Sequence, residues 1–206
     1  MGDEKVKNEA MEIMGLFQVL PRLVVFDLDY TLWPFYCECR SKNEKPSMYP
    51  QAKGILHAFK DKGVNVAIAS RSPTPDVANA FLQKLEIKSM FVAQEIFSSW
   101  THKTEHFQKI NRKTVVPYNE MLFFDDENRN IEAVKSLFVN CSKHSVDSNN
   151  YITRRSRSNK CYMQILEIHI SKLKQYFSGF KNGCHKYIGG QRGKFRGFEA
   201  RTLRVC

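Results

Sequence analysis

Residues 23–26, Leu-Val-Val-Phe, run without a break into Asp27-Leu28-Asp29-Tyr30-Thr31. An uninterrupted apolar run of this length reads as a strand buried on both faces, as in a parallel sheet. Such a strand ends on two carboxylates only if something compensates them, because unpaired buried charge is costly. The two carboxylates therefore meet a cation, sit at the strand's solvent end, or both. Asp27 and Asp29 are two residues apart, so strand periodicity puts them on the same side. Together they make a hard oxygen site suited to Mg²⁺, which takes one or two protein carboxylates along with water and phosphate oxygens.

The rest of the chain repeats the theme. Helical spacing predicts helices over Pro50–Lys62, Pro73–Leu85, Thr101–Asn111 and Asn128–Leu137. Apolar runs predict strands at Val64–Ala69, Met90–Ala93 and Met121–Phe124, and Phe138–Asn140 reads as the start of a fifth. Strands and helices alternating in this way predict an α/β fold, a doubly wound open parallel five-stranded sheet with helices on both faces. Ligands of such sheets bind beyond the carboxyl ends of the strands, where strand order reverses. Three predicted strands end there in polar residues: Asp27/Asp29, Ser70/Arg71 and Asp125/Asp126. The loop over residues 33–49 is too short for a separate lid domain, so the site is expected to be essentially uncapped.

Charge divides the chain. Its net charge is +11, and residues 142–206 alone carry 14 Lys and Arg against 3 Asp and Glu. The expected organisation is an N-terminal extension over 1–20, a neutral domain over 21–141 and a basic C-terminal region over 142–206. The first of these is polar, then helical in pattern, with Met11, Met14, Leu16 and Phe17 able to lie against the body, and is expected to be weak or frayed. The six cysteines form no Cys-x-x-Cys pair and no zinc spacing. No apolar run has the length of a membrane span, and the charged start lacks a signal-peptide core. A cytoplasmic protein without a membrane partner is the expectation.

Asp27-Leu28-Asp29-Tyr30-Thr31 resembles the first motif of the haloacid dehalogenase (HAD) superfamily, and Phe26 to Pro34 looks like its small magnesium-dependent phosphatases. The resemblance extends over residues 22–141, with Ser70, Lys103 and Asp125-Asp126 standing in the order of the other motifs. It implies a Rossmannoid fold and a Mg²⁺-dependent phosphatase working through a phosphoaspartate. Asp27 would be the nucleophile. Asp29 would be the general acid, then the general base; in the superfamily this second aspartate marks phosphatases and phosphomutases. Mg²⁺ would be held by Asp27, the Asp29 carbonyl and Asp126, which stands four before Asn130 as the family spacing requires. Asp125 would support from behind. Ser70, Lys103 and the Leu28 N–H would hold the phosphoryl group, Arg71 would add a bidentate grip, and Thr31 would orient the loop. The implied substrates are phosphomonoesters on a small molecule or a phosphoprotein, of phosphotyrosine or sugar-phosphate type.

Other groups carry weaker patterns. His102 and His106 stand one helical turn apart, as a metal pair could. Trp33, Phe35, Tyr36 and Trp100 fall in loops near the inferred pocket mouth, where they could stack on a substrate or simply pack. The resemblance stops after Cys141. Residues 142–158 read as a loop and 161–177 as an amphipathic helix. Arg192-Gly193-Lys194-Phe195-Arg196-Gly197-Phe198 mixes basic, glycine and aromatic residues in a way that suits single-stranded nucleic acid. The alternative to an enzyme is thus a non-catalytic HAD-like scaffold whose basic tail binds nucleic acid or anionic surfaces.

Overall fold

The computed structural model describes residues 2–143. Four strands, β1 (Leu23–Phe26), β2 (Asn65–Ser70), β3 (Phe91–Ile96) and β4 (Met121–Phe124), form one sheet in the order β3-β2-β1-β4. All three pairings are parallel, with Phe26 opposite Ile68 on one side and Phe124 on the other. The α-helices among the described residues are α1 (Gly2–Gly15), α2 (Ala52–Asp61), α3 (Pro75–Lys84), α4 (Thr104–Thr114) and α5 (Asn128–Lys143).

The two faces of the sheet follow the period of two. Leu23, Val25, Ala67, Ala69, Met121 and Phe123 share one core with Phe107 and Ile110 of α4 and Val134 of α5. The alternate residue Phe26 faces the other way, edge-on to Phe59 of α2 and stacked on Phe124. Helices therefore cover both faces, which is why β1 and β4 are apolar at every position. The chain leaves β1 toward β2 and β3, then returns past β1 to β4. Strand order thus reverses between β1 and β4, the place where an open α/β sheet leaves a crevice.

The described residues form four strands rather than five. Phe138 to Asn140, expected to begin a fifth, lie inside α5. Nothing between Asn128 and Lys143 is glycine or proline, so no breaker ends the helix at Leu137, and a three-residue apolar run cannot by itself distinguish strand from helix. The third strand also runs three residues further than expected, to Ile96. Among the described residues no helix is long and apolar enough to cross a membrane. The expectations for 144–206, the basic tail and the helix over 161–177 included, lie outside the described residues.

The N-terminal residues, expected to be weakly ordered, form a full helix that docks on α2. Ala10 and Met14 are buried, and Lys7 bridges to Asp61 at 3.2 Å. Gly54 permits the close approach: a Cβ there would lie 2.7 Å from the Asp3 carbonyl oxygen and 2.9 Å from the Val6 Cβ. Alanine improves the intrinsic helix propensity of α2, but the rigid backbone oxygen of Asp3 leaves it no room. Gly54→Ala is expected to push α1 off and to cost about 1–3 kcal/mol. Thermal melting checks this; a melting temperature at or above that of the parent chain would contradict it.

Candidate active site

The carboxyl ends of β1 and β4 meet around one lysine. Asp27 follows β1 and donates its N–H to the Phe124 carbonyl at 2.9 Å, which locks the two strand ends together. Its side chain receives the Lys103 ammonium at 2.6 Å, and the same ammonium binds Asp125 Oδ2. Lys103 is 2% exposed and Asp27 6%. Burial pulls the lysine pKa down, but the two carboxylates outweigh it and hold the ammonium above its usual value. Burial likewise pushes the Asp27 carboxyl up, to about 7; Lys103 opposes this, Asp125 adds to it, and the Leu28 N–H opposes it.

Lys103 reaches this position by an unusual backbone. His102 and Lys103 are both left-handed, with φ of 44° and 70°, a conformation that costs non-glycine residues about 1–2 kcal/mol each. The preceding turn secures it. Ser99 Oγ lies 2.8 Å from Thr101 Oγ1 and donates to Glu105 Oε2, while the Thr101 N–H donates to Ser99 Oγ. This turn is why α4 starts at Thr104 rather than at the expected Thr101.

Asp125 is surrounded by donors. Its Oδ1 accepts from the Glu127 N–H at 2.7 Å, and Asn130 Nδ2 reaches both its oxygens at 3.1 and 3.2 Å. Asp126 is half-buried, and one oxygen each from Asp27, Asp125 and Asp126 fall within 4.8 Å of one another. This all-oxygen set fits Mg²⁺. Buried Asn130 Oδ1 has no hydrogen-bond partner among the described residues.

Asp29 is held by the loop that follows it. Trp33 Nε1 donates to Asp29 Oδ1 at 2.7 Å and the Cys37 N–H to Oδ2 at 3.2 Å. Trp33 and Phe35 are thus buried, stacked on each other and edge-on to Phe81 of α3, and they present no face to a substrate. Tyr36 and Trp100 do stay exposed, Trp100 at 98%. Burial, then Asp126, Tyr30, Glu127 and Asp29, hold the Tyr36 hydroxyl pKa above its usual value, and its ring packs edge-on to Tyr30. The Thr31 N–H donates to the Leu28 carbonyl at 3.2 Å, while its buried hydroxyl finds no partner among the described residues.

Ser70 and Arg71 close the far side. Ser70 is buried at the end of β2. Arg71 Nε donates to the Ser99 carbonyl at 3.0 Å, with its NH1 3.5 Å from His102 Nδ1. His102 and His106 do not form a metal pair. Nε2 of His106 lies 3.0 Å from the carbonyls of both Ser70 and Phe97, while His102 turns to Arg71. The roles of Trp33 and His106 escape a sequence reading, because the only signal each carries is an apolar or helical position near a motif.

A family profile described as Acid Phosphatase matches residues 19–148. Magnesium-dependent phosphatase 1 of Homo sapiens is 36% identical over 137 residues, covering 59% of this chain and 77% of its own. An HAD-like hydrolase superfamily protein of Schizosaccharomyces pombe is 34% identical over 136 residues, covering 54% and 79%. The match spans all four strands and every carboxylate named above. The chain belongs to the acid phosphatase family, in the magnesium-dependent phosphatase branch of the HAD superfamily.

Proposed function

We propose that this phosphatase hydrolyses phosphomonoesters through a phosphoaspartate on Asp27, with Mg²⁺ bound by Asp27, the Asp29 carbonyl and Asp126. The observation that carries the reading is the buried ammonium of Lys103 shared by Asp27 and Asp125 beside the Asp126 carboxylate. A dianionic phosphoryl group can enter a carboxylate cluster only where fixed cations offset the repulsion. Bound Mg²⁺ supplies the second positive charge and polarises the phosphoryl oxygens.

An Asp27 oxygen attacks phosphorus; the new O–P bond forms as the bond to the leaving oxygen breaks. Asp29 gives that oxygen its proton. Asp29 then takes a proton from water, whose oxygen attacks phosphorus and breaks the Asp27–P bond, releasing phosphate. Ser70, Lys103 and the Leu28 N–H hold the phosphoryl oxygens, and Arg71 flanks them. Trp33 and the Cys37 N–H fix the Asp29 carboxylate, and Thr31 shapes the turn between them. Asp125, saturated by Lys103, Asn130 and the Glu127 N–H, acts by holding Lys103 in place.

Only a single 3-10 turn, Cys37–Cys39, interrupts the loop between β1 and α2, so the site is open enough for a phosphate carried on a larger molecule. Exposed Tyr36 and Trp100 suit an aryl or sugar group, in keeping with phosphotyrosine or sugar-phosphate substrates.

Hydrolysis of a generic aryl phosphate tests the reading. Chelation is expected to lower turnover by more than about 100-fold, and added Mg²⁺ to restore it. Equal turnover with and without chelator would contradict a metal at the Asp27–Asp126 cluster.

A further inference from the structure

His106 is fully buried on the first turn of α4, three residues beyond Lys103. Both polar groups facing its Nε2 are carbonyl oxygens, of Ser70 and Phe97, each at 3.0 Å. Nε2 therefore carries the hydrogen and donates to both. The ring lies flat on Phe97, centroids 3.9 Å apart and planes 1° from parallel, and Lys109 covers the other side of that phenyl at 3.8 Å. The Ser70 carbonyl also accepts the Phe97 N–H at 3.1 Å. Its two lone pairs are then both used, one by β3's continuation and one by His106.

We propose that His106 is a positioning residue for phosphoryl binding: it fixes the Ser70–Arg71 peptide at the end of β2 and ties it to the helical turn that carries Lys103. This rests on the reading of Ser70 as a phosphoryl ligand. A trans peptide points its N–H opposite its C=O. With the Ser70 carbonyl pinned toward β3, the Arg71 N–H is turned the opposite way, toward β1. Losing the imidazole would leave that carbonyl held by the Phe97 N–H alone and free the end of β2, the Ser70 Cα and its hydroxyl included, to shift. The Lys103 carbonyl accepts the Phe107 N–H at 3.0 Å, so one turn of α4 holds the lysine by its backbone and Ser70 through the imidazole. Burial lowers His106 to about 4, which keeps the ring neutral and the donor in place throughout the physiological range.

The test is a double-mutant cycle between His106→Phe and Ser70→Ala, read as kcat/KM on an aryl phosphate with Mg²⁺ saturating. His106→Phe keeps the stack and removes the donor; a fall of about 10- to 100-fold is expected. Ser70→Ala is expected to cost about 100-fold alone and less than about 10-fold when added to His106→Phe, because the hydroxyl is already misplaced. His106→Gln keeps an N–H and is expected to stay within about tenfold of the parent. Additive losses, or equal losses in the Phe and Gln variants, would overturn the proposal. A Ser70→Ala variant with parent activity would instead overturn the Ser70 reading. Nitrogen NMR of the unmodified protein gives a check independent of any variant's folding. A neutral Nε2–H tautomer from pH 5 to 8 is expected, and an Nδ1–H tautomer, or titration near the ordinary 6.5, would refute the donor role.

Discussion

Asp27→Asn is expected to abolish turnover while leaving the domain folded. Under the proposed mechanism this removes the attacking carboxylate and with it the covalent route, so a fall in kcat of about four orders of magnitude or more is anticipated. The stability effect has the opposite sign. Burial pushes the Asp27 carboxyl up from its ordinary value near 3.8 to about 7 in the metal-free protein. Between those values the folded state holds more protons than the unfolded one, so this group's contribution to stability is lost as pH rises from about 4 to 7. Asparagine has the same shape without the charge, and Lys103 keeps Asp125 as a partner. Without metal at pH 8, the variant is expected to melt no lower than the parent. A variant that is inactive because it is unfolded would show a collapsed melting temperature instead, so the two measurements together separate chemistry from folding.

Lys103→Met is expected to damage both. The lysine is almost wholly buried and touches two carboxylates. Methionine fills the volume but leaves Asp27 and Asp125 facing each other in a dry site. Breaking a buried ion pair in this way costs about 3–5 kcal/mol, which for a chain of this size is a drop of roughly 10 °C in melting temperature. With Lys103 gone, burial and Asp125 push the Asp27 carboxyl up against the Leu28 N–H alone, so the carboxyl takes up a proton at neutral pH. A protonated Asp27 is a poor nucleophile, and the phosphoryl group has lost its fixed cation. Turnover is expected to fall at least about 100-fold at pH 7. Part of the loss should return at higher pH as Asp27 ionises, a recovery that Lys103→Arg, which keeps the charge, should not need. Unchanged melting and unchanged turnover in Lys103→Met would show that the ammonium is not the link between the two strand ends.

The elements that place these groups were legible because three of the strands, β1, β2 and β4, announce themselves twice. An apolar run marks each body and a polar pair marks each end, as at Phe26-Asp27 and Phe124-Asp125. Lys103 could be assigned from the family order, but not its partners, since nothing in Thr101-His102-Lys103-Thr104 betrays two successive left-handed residues. Trp33 reads as an aromatic in a loop; only the fold turns its indole inward to Asp29 and its face to Phe35. His106 reads as one of a spaced pair, and its real partners are carbonyls, one on β2 and 36 residues away and one just after β3. The run Phe138 to Asn140 illustrates the converse, where a strand-like composition sits on an unbroken helix. The helical pattern of the N-terminal segment, with Met14 inward, was legible, but not where it docks, because the informative residue is Gly54, on the other helix.

The proposed phosphoaspartate is open to direct trapping. Asp29→Asn removes the base that activates water, whereas a good aryl leaving group needs no acid to depart, so the covalent intermediate should accumulate. Quenching that variant in acid during turnover of a labelled aryl phosphate, then mapping the label, tests the central claim. The account predicts one acid-stable, hydroxylamine-labile phosphoryl group per chain on the peptide containing Asp27, absent from Asp27→Asn and absent without Mg²⁺. Label on any other residue, or label released as phosphate with none retained on the protein, would contradict it.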